Sequence, residues 1–104
     1  MVTEDSFSFT YGTVETRAKM PKGDWLWPAI WMKPTDNKYG AWPRSGEIDI
    51  VEVRGNNNFT CVDKPFGRQL AGQTIHWGPS SAENTFSMTH YEKLVFFVYC
   101  CLFD

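Results

Sequence analysis

The chain has 104 residues and a net charge of −2, enough for one small domain, and no basic footprint of the kind that nucleic acid selects. Its longest apolar run, Leu94 to Phe103, is ten residues, too short to span a bilayer. No charged-then-apolar leader follows Met1, so no signal peptide is visible. Aromatic content is 16%, with five Trp. Such a composition suits sugar binding and an ordinary β core equally.

Residues 1–6 are polar and expected to fray. Phe7-Ser8-Phe9-Thr10-Tyr11 alternates apolar and polar, a strand signature that Gly12 interrupts. Thr13 to Met20 resumes the alternation, and Pro21-Lys22-Gly23-Asp24 reads as a turn. Trp25-Leu26-Trp27-Pro28 reads as a loop, because Pro28 suits neither a helix interior nor a central ladder. A short strand is expected over Ala29–Met32, then a polar loop from Lys33 to Gly40.

Trp42-Pro43-Arg44-Ser45-Gly46 leads into Glu47-Ile48-Asp49-Ile50-Val51-Glu52-Val53. The Ile and Val residues are stiff at χ1 and favour a pleated strand. Three carboxylates among them need a reason, since burying an unpaired acid is expensive. On a regular strand Glu47 and Asp49 share a face and Glu52 points away. One β-bulge between Asp49 and Glu52 would return Glu52 to the shared face. The glutamate carboxyls could then approach to about 5–5.5 Å, the spacing of a retaining glycosidase. Crowded acids also titrate apart, so one can hold a proton while another is ionised. The plainer reading is a solvated strand face with outward acids.

Arg54 to Asn58 closes the strand with a turn, and residues 59–70 look irregular. Ala71 to Trp77 reads as a further strand, ending at Gly78-Pro79. Residues 80–93 read as a polar loop, and no helical periodicity of useful length appears. Leu94 to Phe103 is apolar, uncharged and free of Pro, an aggregation hazard if exposed. Cys61, Cys100 and Cys101 form no closed disulfide framework and lack zinc-ligand spacing. Asn58-Phe59-Thr60 is a glycosylation sequon. Short strands between Gly/Pro turns point to an all-β sandwich or a related architecture.

Several blocks together resemble glycoside hydrolase family 16. They are Phe9-Thr10-Tyr11-Gly12, Val14 to Pro21, Gly23 to Met32, Trp42 to Glu52, and Thr74-Ile75-His76-Trp77-Gly78-Pro79. Within it the chain is most similar to the animal β-1,3-glucanases and β-1,3-glucan-binding proteins, also called Gram-negative bacteria-binding proteins. The resemblance covers residues 1–93 as the N-terminal part of such a domain. Residues 94–104 form an apolar tail that departs from it. It implies a β-jelly-roll sandwich of the concanavalin A-like kind, here partial and incomplete on the C-terminal side. It also implies retaining endo-hydrolysis of β-1,3-glucan without metal or organic cofactor. Carried across residue by residue, Glu47 matches the nucleophile, Glu52 the general acid/base, and Asp49 the acid that tunes the pair. Trp42, His76 and Trp77 match positions that line the cleft. The implied partner is β-1,3-glucan, and the implied location of the full-length protein is extracellular. The alternative is a non-catalytic, glucan-binding recognition protein of innate immunity. A third reading is a fragment with neither activity, because missing strands would complete its cleft.

Overall fold

The computed structural model describes residues 2–57 and 59–95. The sequon residue Asn58, both C-terminal cysteines and nearly all of the apolar tail lie outside the described residues. The fold is all-β, a partial jelly roll built on one antiparallel sheet. Its strands are β1 (Ala29–Met32), β2 (Glu47–Val53), β5 (Leu70–His76) and β6 (Tyr91–Leu94), in the order β1-β2-β5-β6. A two-residue hairpin, β3 (Thr60–Cys61) with β4 (Lys64–Pro65), stands apart. One short helix, α1 (Phe86–Thr89), leads into β6. Among the described residues no helix is long and apolar enough to cross a membrane.

The acidic strand is central, and its Ile50, Val51 and Val53 are the buried apolar core. Their branched side chains are what a strand flanked on both sides can pack. Beyond β1, Val53 N–H donates to Pro28 O at 3.0 Å and Gly55 N–H to Leu26 O at 2.8 Å. These bonds lay the Trp-rich loop along the end of β2. Gly55 is required there, since a Cβ would lie 2.5 Å from Gly23 O.

β1 and β5 stand where the sequence places them, within a residue. The alternation over Phe7–Met20 does not become a ladder: no strand forms there, and Phe7, Phe9 and Tyr11 are exposed. Alternation marks a face, but a strand also needs a partner for its N–H and C=O groups. Within residues 1–6, expected to fray, Thr3 starts a turn, and its carbonyl accepts from Phe7 N–H at 2.9 Å. Glu4 in that turn meets Lys33 at 2.7 Å. Residues 59–70 include the β3–β4 hairpin. The presumed polar loop 80–93 is also corrected, for it carries a 3₁₀ turn (Ser81–Glu83), α1 and most of β6. Leu94, the first residue of the apolar tail, pairs with Leu70.

The two faces of the sheet differ. Glu47, Asp49 and Glu52 lie on one, opposite His76, Thr74 and Gly72 of β5. The other carries Met32, Ile48 and Ile75, with Ile48 and Ile75 half exposed. An apolar face of this kind is what one layer of a sandwich presents to the next.

Candidate active site

The register of β2 decides the site. Against β5, Glu47 pairs with His76, Asp49 with Thr74, then Glu52 with Gly72. Three steps on β2 thus correspond to two on β5, and Ile50 and Val51 together face Gln73. Against β1, Val51 pairs with Ile30 and Asp49 with Trp31, so Ile50 is passed over. This is a β-bulge of one extra residue, at the place the acid pattern requires. His76, Thr74 and Gly72 alternate along β5 and share a face, and so therefore do Glu47, Asp49 and Glu52.

His76 gathers the acids. Its Nε2 lies 3.0 Å from Asp49 Oδ2 and 3.7 Å from Glu47 Oε1. The Asn84 side-chain amide donates to His76 Nδ1 at 2.8 Å, so Nε2 carries the ring proton toward the carboxylates. Asp49 is buried, at 4% exposure, and the approach of Nε2 to its Oδ2 is close without hydrogen-bond alignment. Trp42 packs beside the histidine, with ring centroids 5.5 Å apart. Trp77 follows His76 in the chain and lines a cavity of about 780 Å³ that borders Phe7, Phe9, Ile48 and Ile75 and also reaches Glu47 and His76. Among the described residues no hydrogen bond, ion pair or ring contact joins Trp77 to the acids.

All three carboxyls hold their protons above the ordinary range. For Glu47 the main cause is burial, reinforced by the charge of Asp49 and opposed by His76. Burial also dominates for Asp49, again opposed by His76. Glu52 is raised by burial and by Asp49, against His76, His90 and Arg54. Such a cluster can hold one proton beside ionised neighbours, which acid/base work requires. Glu47, Asp49 and His76 also offer one ligand atom each within 4.8 Å of one another, a set able to hold a divalent cation.

A second imidazole extends the polar face. His90 Nδ1 lies 2.7 Å from Thr74 Oγ1, and its Nε2 3.1 Å from Glu92 Oε1. The ring occupies the space over Gly72, where an added Cβ would lie 3.0 Å from His90 Cε1. Phe86 stacks on both imidazoles, 5.9 Å from His76 and 4.4 Å from His90. Sequence reasoning missed His90, Asn84 and Phe86. All three come from the presumed loop, and only the pairing of β6 with β5 reveals their place.

Both glutamates thus lie on one face of the sheet, with a buried aspartate between them. Residues 2–63 match the XgeA-like, catalytic GH16 domain. A beta-1,3-glucan-binding protein of Penaeus monodon is 56% identical over 90 residues, 86% of this chain and 24% of the relative. A glucan endo-1,3-beta-glucosidase of Cryptopygus antarcticus is 48% identical over 71 residues, 68% of this chain and 23% of that protein. Gram-negative bacteria-binding protein 1 of Drosophila melanogaster is 36% identical over 78 residues, 74% of this chain and 15% of the relative. The chain belongs to glycoside hydrolase family 16. It spans about a quarter or less of the length of these curated relatives.

Proposed function

We propose that this chain carries the acid machinery of a retaining endo-β-1,3-glucanase. The observation behind this reading is the register shift between Asp49 and Glu52, which turns both glutamates to one face. Glu47 attacks the anomeric carbon as the bond to the leaving oxygen breaks, and Glu52 gives that oxygen its proton. A glycosyl ester on Glu47 results. Glu52, now ionised, takes a proton from water, and the water oxygen displaces Glu47 from the anomeric carbon. The raised proton affinity of Glu52 suits an acid that must be protonated near neutral pH. Asp49 keeps His76 turned toward the pair, and Trp42 offers a ring face to the sugar. The β-1,3-glucan of microbial walls is met outside the cell, and an extracellular site of action fits that substrate.

The test is hydrolysis of laminarin by the full-length protein, followed by NMR of the anomeric protons. Retention makes the β-anomer appear first, with the α-anomer growing only by mutarotation. Initial release of the α-anomer would refute the double displacement. Trp42→Ala should weaken laminarin binding about 3- to 10-fold, the worth of one aromatic platform, as read by isothermal titration.

A second reading has its own support. The 56%-identical shrimp relative is named for glucan binding, not cleavage. On that reading the same face holds β-1,3-glucan as a recognition surface in innate immunity, and the acids serve as hydrogen-bond acceptors for sugar hydroxyls. Tight laminarin binding with no reducing ends released by the wild-type protein would favour it.

A further inference from the structure

The bulge needs a device to hold it, and the structure contains a candidate outside the acid face. Where Ile50 and Val51 together oppose one residue of β5, the regular pairing is interrupted. Ile50, passed over on the β1 side as well, is buried. The residue opposite is Gln73, and its side-chain Nε2–H donates to Ile50 O at 3.0 Å. Along the back of β5 Gln73 stands between Ala71 and Ile75, on the face that carries Ile48 and Met32. Its side chain is exposed, so the bond to the Ile50 carbonyl is not imposed by burial of the carboxamide. Here the carboxamide gives the Ile50 carbonyl a partner at the bulge.

We propose that Gln73 is the positioning residue of this site: by bonding the Ile50 carbonyl from behind the sheet, it locks the two-against-one register that keeps Glu52 beside Glu47. Gln73 touches no substrate and none of the acids. It acts through the backbone, by making the bulged register better satisfied than a regular ladder. A slip of one residue would turn Glu52 to the apolar face. The catalytic consequence rests on the hydrolase reading above, whereas the structural consequence does not.

Two isosteric variants of the full-length protein test this. Gln73→Met keeps the shape and removes the donor. Gln73→Glu restores a donor only when its carboxyl is protonated, and sets a carboxylate against the carbonyl otherwise. Amide hydrogen exchange over residues 50–53 reads the register directly. At pH 7 both variants should exchange about tenfold faster than wild type there, the effect of losing one hydrogen bond. At pH 4, Gln73→Glu should regain wild-type protection while Gln73→Met does not. On laminarin, Gln73→Met should lose about 10- to 100-fold in kcat, as expected for a displaced catalytic group, with KM nearly unchanged. Wild-type exchange in Gln73→Met would overturn the proposal. So would a Gln73→Glu protein that tracks Gln73→Met at both pH values, since shape and not the donor would then matter. If the wild-type protein cleaves no laminarin, the hydrolase reading fails and the exchange measurement still decides the role of Gln73.

Discussion

Glu47→Gln should abolish the release of reducing ends from laminarin by the full-length protein, by about 10⁴-fold or more, while laminarin binding stays within about threefold of wild type. The amide is isosteric and keeps the pairing of residue 47 with His76. It cannot form the glycosyl ester, so the double displacement loses its first step. Glu52→Gln should cost less, about 10²- to 10⁴-fold, because it removes proton transfer and leaves the nucleophile. The ordering of the two variants separates their roles, and azide, an anion that needs no general base, should speed only the Glu52→Gln enzyme on an activated aryl glycoside. Release of reducing ends at equal rates by wild type and Glu47→Gln would remove Glu47 from the mechanism. Loss of binding together with activity would make Glu47 part of a recognition surface.

The acid pattern was legible in the sequence because strand geometry leaves few ways to use it. A six-residue span with carboxyls at its first, third and last positions can share a face only through one extra residue, and Ile50–Val51 supplies it. The strands around it, β1 and β5, were legible from β-branched and aromatic runs bounded by Pro and Gly. Phe7–Met20 misled because alternation reports which face could be buried, not whether a neighbouring edge exists to pair with. The second half of the site was hidden for the opposite reason. Asn84 reaches His76 across 8 residues, His90 reaches Thr74 across 16, and Gln73 reaches Ile50 across 23. None of these polar residues belongs to a local period. Their roles arise from strand order, which a single sequence specifies only through the whole set of pairings.

The acid cluster should also set how stability varies with pH. Glu47, Asp49 and Glu52 all bind protons more tightly in the folded protein than in the unfolded chain, with burial as the main cause. Between the unfolded carboxylate values near 4 and the raised folded values, the native state therefore holds more protons. The sign follows: their contribution is fully present below about pH 4 and is lost as pH rises through the folded values. A Glu47→Gln, Glu52→Gln double variant has no charge to desolvate at these positions. It leaves the 3.0 Å contact of Asp49 with His76 in place. The variant should melt about 2–8 °C above wild type at pH 7, as for removal of an unfavourable active-site charge. The difference should shrink toward zero at pH 4, where the wild-type glutamates are protonated as well. Calorimetric scans from pH 4 to pH 8 measure this directly. An increment independent of pH would show that the gain comes from packing and not from charge, and a lower melting temperature at pH 7 would show that the ionised glutamates are net stabilised by His76, His90 and Arg54. Either result would remove the electrostatic strain that lets Glu52 keep its proton until a sugar oxygen accepts it.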